Sequence, residues 1–163
     1  MAQKSAEQLE QAQGVGYIPS GLFIITTHEE GVTDGYLASW VQQVSFEPLM
    51  VCLAINPGRP GYERIKAGKT FTINIVGDHE MGYLRYFWKG YAPEENPFSE
   101  IAHELTPQGG VFLKDAIAAI DCQLESTVTP GDHELVIAKV LSSRVLNSEA
   151  KSKTHMRKSG LDY

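Results

Sequence analysis

Residues 116–146 decide the fold, and they read AIAAIDCQLESTV, then TPGDH, then ELVIAKVLSSRVL. The first and last of these segments are rich in the β-branched and other apolar residues that favour strands. The middle segment holds Pro130 and Gly131, which favour a turn. Two strand-like runs joined by a short turn predict an antiparallel pair, with strands at 116–128 and 134–146.

The segments before this hairpin also favour strands over helices. Helices are predicted only at 62–67 and at 78–88, where Asp78 is the predicted N-cap and Met81 lies on the apolar face. Because strands and helices do not alternate regularly, we predict a mostly β fold, an antiparallel barrel rather than a Rossmann sheet. The further predicted strands are 21–27, 35–46, 49–55 and 71–76, of which 49–55 is apolar on both faces and is predicted to be a central strand.

Length and charge limit the class of protein. A chain of 163 residues is expected to form one domain, which we place at 15–163, after a polar leader at 1–14 that does not resemble a signal peptide. The net charge of -6, with a basic group only at 151–158, argues against a nucleic-acid-binding surface. No apolar run approaches the roughly 20 residues that a bilayer requires, so we expect no membrane span.

The two cysteines indicate a reducing compartment. Cys52 and Cys122 both lie in apolar, strand-like runs, which favours two buried free thiols over a disulfide. We therefore expect a cytoplasmic protein.

The segment ASWVQQVSF, at 38–46, carries the most informative polar pattern. If it is one continuous strand, Ser39, Gln43 and Ser45 share one face, while Trp40 and Val44 share the other. Two hydroxyls and an amide on one face can bind a phosphate or the oxygens of a ring. A polar face that simply meets water gives the same pattern, so this segment alone leaves both interpretations open.

The loop NPGRPG, at 56–61, is a second candidate site. It connects a predicted strand to a predicted helix, where unpaired backbone N–H groups favour an anion, and Arg59 adds a planar cation suited to phosphate. Asn56 begins the loop. An ordinary connection, with Glu63 complementing the helix dipole, explains the same residues without a ligand.

His133 lies at the predicted hairpin tip, in the tripeptide Gly131-Asp132-His133. Its imidazole is placed either beside a bound ring or in solvent. The remaining histidines show no metal-ligand spacing, and the sequence has no dinucleotide fingerprint, phosphate loop or nucleophile elbow. We therefore predict no metal site, and a bound cofactor would explain why no acid, base or nucleophile constellation is visible.

Taken in order, five segments resemble the flavin reductase-like family of FMN-binding split barrels over about residues 15–163. The strongest likeness is to the flavin reductase module of cyanobacterial diflavin flavodiiron proteins and to flavoredoxin. The segments are GLFIITT at 21–27, ASWVQQVSFEP at 38–48, FTINI at 71–75, GDH at 131–133 and HMRKSGLDY at 155–163.

The resemblance implies a Greek-key-like antiparallel split barrel with two or three short helices. It also implies a homodimer that holds FMN near the subunit interface, with NADH, NADPH or a redox protein as the electron donor. Family members commonly have Thr where this chain has Leu37, so one hydroxyl contact to FMN is missing.

The resemblance assigns roles to individual residues. His133 matches a histidine placed near the flavin and is the predicted catalytic residue. The side chains of His155, Arg157 and Lys158, in the C-terminal tail, could equally contact an anionic cofactor, a nicotinamide phosphate, the other subunit or only solvent. The predicted cofactor-binding residues are Ser39, Trp40, Gln43, Val44, Ser45, Asn56, Arg59, His155, Arg157 and Lys158.

Three functions agree with these residues. The first is an oxidoreductase that transfers electrons from NADH or NADPH through FMN to an acceptor that the sequence does not name. The second is a flavin-bearing electron-transfer protein that docks on a redox partner and has little nicotinamide activity. The third is a non-catalytic protein that binds flavin or another planar ligand.

Overall fold

A computed structural model describes residues 5–79, 82–92 and 94–161 of the chain. Its centre is a seven-stranded sheet in which every pair of neighbours is antiparallel. In sheet order, the strands are β3 (Val32–Ala38), β2 (Phe23–Glu29), β6 (Phe71–Ile75), β9 (Ala118–Val128), β10 (Glu134–Val145), β5 (Met50–Ile55) and β4 (Val41–Ser45).

The sheet curls because its two edges are consecutive in the chain. β3 and β4 are the edge strands, yet only Ser39 and Trp40 separate them. Tyr36 of β3 and Leu53 of β5, which lie near opposite edges of the sheet, pack in one buried cluster. The sheet therefore forms a barrel that is split between β3 and β4, which confirms the predicted fold class.

Two small sheets complete the architecture. β1 (Ser20–Gly21) pairs with β11 (Thr154–His155), and this pairing fixes the tail beside the start of β2. β7 (His103–Leu105) pairs with β8 (Val111–Leu113). The segment at 89–110, which carries no predicted strand or helix, therefore contains β7 as well as a turn of 3-10 helix at Pro97–Ser99.

A buried polar network attaches β8 to the main sheet. Asn74 donates to the Val111 carbonyl oxygen (3.3 Å) and accepts from the Leu113 N–H (2.8 Å). The Thr26 hydroxyl donates to the same Val111 oxygen (2.6 Å). Each buried polar group finds a partner here, which avoids the penalty of roughly 1–3 kcal/mol for an unsatisfied one.

Three α-helices occur among the described residues: α1 (Ala6–Gly16), α2 (Tyr62–Lys66) and α3 (Leu84–Lys89). α1 begins with a capping box between Ser5 and Gln8 and contacts the tail, where the Gly160 N–H donates to the Ala12 oxygen (2.6 Å). None of the described helices has the length and apolar character needed to cross a membrane.

The predicted helix at 78–88 is wrong in its first half. α3 begins only after Tyr83, and the Asp78 N–H donates to the Lys151 oxygen (2.8 Å) instead of starting a helix. The reason is the bridge between Gly77 and Ser152, which keeps this part of the chain extended. Met81, which was placed on the apolar face of that helix, lies outside the described residues.

Two strand predictions also need correction. The predicted strand at 35–46 is interrupted at Ser39 and Trp40, because the chain passes there from one edge of the barrel to the other. The predicted central strand at 49–55 is β5, which lies one strand in from an edge and buries only alternate residues.

Both cysteines are free thiols, with Cys122 buried and Cys52 half-buried.

Candidate functional site

The split in the barrel is bordered by two cavities that share Ser39. The Trp40 cavity, of about 500 Å³, is lined by Ser39, Trp40 and Arg157 together with residues of β1 and the segment before β11. The Trp88 cavity, of about 150 Å³, is lined by Ser39, Arg59, Trp88 and His155, with apolar walls from Leu22, β3 and α3. A ligand that passes Ser39 can therefore contact both cavities.

Ser39 is the most informative residue of this site. It is 7% exposed, and its Oγ is buried without a hydrogen-bond partner among the residues that the structure describes. A buried hydroxyl that forms no hydrogen bond costs about 1–3 kcal/mol, so such a group requires an explanation. A ligand that hydrogen bonds to Ser39 would remove this cost.

Trp40 packs against two of the predicted residues. The His133 ring lies 4.9 Å from the Trp40 ring, centroid to centroid, at an interplanar angle of 56°. The Arg157 Cζ lies 5.0 Å from the Trp40 centroid, within the range of a cation–π contact. The hairpin tip, the β3–β4 connection and the tail therefore meet at one indole ring.

His133 is held by its neighbour in the chain. Its Nδ1 lies 2.9 Å from Asp132 Oδ1, and this hydrogen bond lowers the pKa of the Asp132 carboxyl. The start of β10, directly after the hairpin tip, is fixed at Glu134, which accepts from the Tyr62 hydroxyl (2.8 Å) and from Lys66 (2.7 Å). These bonds connect α2 to β10 and fix the position of the hairpin tip.

Arg59 projects from a tight loop. The Asn56 side chain accepts from the Gly58 N–H (2.9 Å), and the Asn56 carbonyl accepts from the Arg59 N–H (3.0 Å). Asn56 therefore shapes the loop, and Arg59 is the residue of this loop that lines the Trp88 cavity.

The tail residues differ in position. β11 brings His155 to the Trp88 cavity, where its ring lies edge-on to Trp88 at 5.7 Å. Arg157 lies in the Trp40 cavity. Lys158 is exposed, its backbone packs against Gly16 of α1, and its side chain lines neither cavity.

The prediction that Ser39, Gln43 and Ser45 share one face is wrong. Gln43 pairs with Val51 and Ser45 pairs with Met50, so Val44 is the extra residue of a β-bulge. Because Val51 and Met50 point to opposite faces of β5, Gln43 and Ser45 also do so. Gln43 borders a different, largely apolar cavity of about 320 Å³, and Val44 is exposed.

Trp88 and Gln42 line the two cavities but were not among the predicted site residues. Trp88 lines the Trp88 cavity from α3, and Gln42 lines the Trp40 cavity. The run of aromatic residues at 86–88 was the available signal for Trp88, but it does not show which ring faces the site. Among the described residues, no three histidine, cysteine or acidic side chains are close enough to hold a metal.

The assembled groups suit a planar, anionic ligand. An indole ring offers a flat surface, Arg59 and Arg157 offer positive charge on two sides of Ser39, and Ser39 offers an unsatisfied hydroxyl. This combination fits the phosphate and ring system of a flavin nucleotide.

Comparison with known proteins identifies the family. The sequence model of the flavin reductase like domain matches residues 15–160. Diflavin flavoprotein A 1 of Synechocystis sp. (strain PCC 6803) is 32% identical over 157 residues, which cover 95% of this chain and 27% of that protein. The chain thus spans less than a third of the length of the curated relatives it matches.

Solved structures share the fold at low sequence identity. The Streptomyces globisporus NADH:FAD oxidoreductase SgcE6 has a TM-score of 0.80 at 19% identity, over 91% of this chain and 86% of that one. The styrene monooxygenase flavin reductase of Pseudomonas putida S12 has a TM-score of 0.77 at 23% identity, over 88% and 90%. These structures show the fold, and the match of the family model over residues 15–160 shows that the chain belongs to the flavin reductase-like family of flavin-related oxidoreductases.

Proposed function

We propose that this domain binds FMN across the Trp40 and Trp88 cavities and transfers electrons from NADH or NADPH through the flavin to an acceptor. The observation that carries the proposal is Ser39, whose buried Oγ has no partner among the described residues and which lies between Arg59 and Arg157. A phosphate or ring oxygen of FMN satisfies that hydroxyl.

Two residues of the cavities have direct roles in this proposal, Arg59 and Trp40. Arg59 pairs with the phosphate, because a guanidinium matches phosphate oxygens in two places. Trp40, fixed by His133 and Arg157, forms a wall for the ring system. The bound flavin supplies hydride and electron transfer, which the side chains do not carry out themselves.

His133 is the proposed catalytic residue. In this proposal the imidazole, which packs against Trp40 and lines neither cavity, hydrogen bonds to the flavin or to the nicotinamide amide and orients the donor. The other predicted contacts also lie outside the two cavities and stay predictions, namely Gln43, Val44, Ser45, Asn56 and Lys158.

A second candidate is an electron-transfer domain without significant nicotinamide activity. The diflavin flavoprotein relatives are more than three times as long as this chain, and their name indicates two flavins. In proteins of that kind, a flavin domain can receive or deliver electrons through another domain or a docked redox protein. This candidate keeps the same FMN site and changes only the electron donor.

A homodimer is also proposed, from the resemblance and from an exposed apolar surface. Val44, Phe46 and Leu49 are 50%, 89% and 48% exposed around the turn between β4 and β5. Leu49 also lines the apolar cavity that Gln43 borders. Packing of two such surfaces removes apolar area from water. The cytoplasmic location stays a prediction.

The test of the flavin site compares FMN with riboflavin, which lacks the phosphate. FMN should bind more tightly than riboflavin to the wild-type protein. The Arg59→Ala variant loses a charge-assisted hydrogen bond worth on the order of 1.5–3 kcal/mol, so FMN should bind roughly ten-fold to a hundred-fold more weakly. Riboflavin affinity should hardly change.

The matched control for Arg59→Ala is Arg85→Ala. Arg85 is an exposed arginine that contacts Tyr86 on α3 and lines neither cavity. The Arg85→Ala variant should leave the affinities for FMN and for riboflavin unchanged in a fluorescence titration. The phosphate assignment is wrong if Arg59→Ala weakens both flavins alike or weakens neither.

A further inference from the structure

We propose that the surface around the C-terminal tail docks a redox protein whose contact face is acidic, and that this protein is the electron acceptor. This tail surface joins the residues after α1 to the segments on both sides of β11. The inference rests on the proposed function, because it takes the Trp40 cavity as part of the flavin site, and it names the class of acceptor. The tail surface consists of Tyr17, Ile18, Lys151, Lys153, Met156 and Lys158.

Backbone contacts bring these residues together from the two ends of the chain. Ser20 pairs with His155, so the residues just before β1 lie beside those just after β11. The backbone of Lys158 packs so closely against Gly16 that a Cβ on this glycine would lie 3.1 Å from the Lys158 carbonyl carbon. The tail surface is therefore built on a backbone held by contacts at both of its edges.

Three large apolar side chains of the tail surface are exposed to solvent. Tyr17 is 70% exposed, Ile18 is 61% exposed and Met156 is 56% exposed. Single exposed apolar residues are ordinary, but a group of them on one surface marks an interaction site. The apolar side chains therefore favour a partner protein over solvent.

The charge of the tail surface indicates an acidic partner. The segment 151–158 holds four of the 14 lysines and arginines and no acidic residue, although the whole chain has 20 acidic residues. Lys151, Lys153 and Lys158 form no salt bridge with any residue that the structure describes. Three lysines without an acidic partner complement carboxylates on a docked protein, which orients the complex and speeds the encounter.

The position of the tail surface indicates a redox partner. Ile18 and Lys153 themselves line the Trp40 cavity, together with Arg157. A protein docked on this surface therefore lies beside the cavity in which the flavin ring is proposed. Complexes that form for electron transfer are commonly small, at less than about 1,200 Å² of buried surface, so a surface of a few residues is sufficient.

A second copy of this chain is disfavoured as the occupant. In a two-fold symmetric dimer the same surface lies on both sides of the interface, so the lysines of one copy would face the lysines of the other. Like charges placed opposite each other disfavour such a complex. The tail surface is therefore separate from the apolar surface around Phe46, which we propose for the homodimer.

Two forms of one redox protein test the sign of the charge. Native cytochrome c is basic, whereas succinylated cytochrome c is acidic, because succinylation replaces its lysine charges with carboxylates. Both forms accept one electron at the same haem. The net charge of -6 alone predicts that this protein prefers the basic form, whereas the tail surface predicts that it prefers the acidic form.

The first measurement needs no flavin. Sedimentation followed by the haem absorbance measures the binding of each cytochrome to the flavin-free protein. At an ionic strength of about 0.15 M, charges more than about 8 Å apart are largely screened, so the charge of the contact face decides. Succinylated cytochrome c should bind at least about five-fold more tightly than the native form.

Charge reversal at Lys151 tests the surface itself. Lys151 is exposed and lines neither flavin cavity, so Lys151→Glu should bind FMN normally. Its affinity for succinylated cytochrome c should fall at least about three-fold, because a basic contact becomes an acidic one. The matched control Lys139→Glu makes the same change of charge at an exposed lysine of β10 and should hardly change this affinity.

Reduction kinetics then test the electron transfer with the FMN-loaded protein. One NADH becomes NAD⁺ and a proton, while two haem irons change from Fe(III) to Fe(II). The wild type should reduce succinylated cytochrome c faster than the native form. Lys151→Glu should lower that rate at least about three-fold and leave the anaerobic bleaching of FMN by NADH unchanged.

The inference is overturned if native cytochrome c binds as tightly as the succinylated form, or if Lys151→Glu and Lys139→Glu behave alike. It is also overturned if the protein instead sediments with phosphatidylglycerol vesicles and Lys151→Glu abolishes that binding, because the surface then serves an anionic membrane. Failure of the flavin proposal gives a different result, namely a wild-type protein that does not bind FMN but still prefers the acidic cytochrome.

Discussion

The unsatisfied hydroxyl of Ser39 leads to a prediction with opposite signs in two measurements. Replacing Ser39 with alanine removes a buried Oγ that has no hydrogen-bond partner in the described part of the protein. The cost of burying such a group is about 1–3 kcal/mol, so Ser39→Ala should raise the free energy of unfolding of the flavin-free protein by up to that amount. For a domain of this size, each kcal/mol corresponds to roughly 2–4 °C in Tm.

The same Ser39→Ala change should weaken FMN binding, although it stabilises the flavin-free protein. In the proposed complex the Ser39 hydroxyl bonds to the ligand, and a neutral hydrogen bond contributes about 0.5–1.5 kcal/mol net. Ser39→Ala should therefore weaken FMN binding by roughly two-fold to thirteen-fold. Denaturant unfolding of the flavin-free protein and fluorescence titration with FMN measure the two effects separately.

Thr26→Val is the matched control. The Thr26 hydroxyl is also buried, but it donates to the Val111 oxygen (2.6 Å) and accepts from Asn74 (3.0 Å). Its removal should destabilise the protein by about 1–3 kcal/mol, because those partners lose a hydrogen bond. The reasoning about Ser39 is refuted if Ser39→Ala destabilises the flavin-free protein as Thr26→Val does, or if FMN affinity is unchanged.

Two further predictions concern the hairpin and the dimer. Hydrogen bonds from Lys66 and Tyr62 lower the pKa of Glu134, so its contribution to stability is present above the ordinary carboxyl pKa of 4.5 and is lost as the pH falls through the lowered value. Denaturant unfolding should therefore show Glu134→Gln to be less stable than the wild type at neutral pH, and the difference should disappear in acid. A difference that stays constant with pH would contradict this. Phe46→Glu should shift the protein from dimer to monomer in light scattering, because it places a charge on the exposed apolar surface, and an unchanged mass would argue against that surface.

The long hairpin was predictable because its signals are local. Apolar runs on either side of Pro130 and Gly131 specify two strands, and the structure has them at Ala118–Val128 and Glu134–Val145. The break at Ser39 was not predictable in this way. It arises because β3 and β4 belong to opposite edges of the curled sheet, which depends on pairings far apart in the sequence.

The candidate site shows the same limit. The bulge at Val44 is visible only through the register with Met50 and Val51, so the alternation rule assigned Ser45 to the wrong face. Arg59 was identifiable as a polar residue of a predicted loop and Ser39 as one on a predicted strand. That both line one cavity follows from the tertiary structure alone.

The contacts of the tail are also non-local. Pairing of Ser20 with His155 brings the tail to the split in the barrel, and Arg157 then reaches Trp40. No local pattern in the basic tail distinguishes this arrangement from a solvated segment, which is why the sequence left several uses open.

The most direct test of the proposed function is anaerobic stopped-flow mixing of the FMN-loaded protein with NADH and, separately, with NADPH. The absorbance of the oxidised flavin should be lost much faster than it is for free FMN at the same nucleotide concentration. Loss of absorbance at the rate of free FMN with both nucleotides would contradict nicotinamide-dependent reduction. Fast bleaching by a reduced redox protein in the same apparatus would then support the electron-transfer alternative.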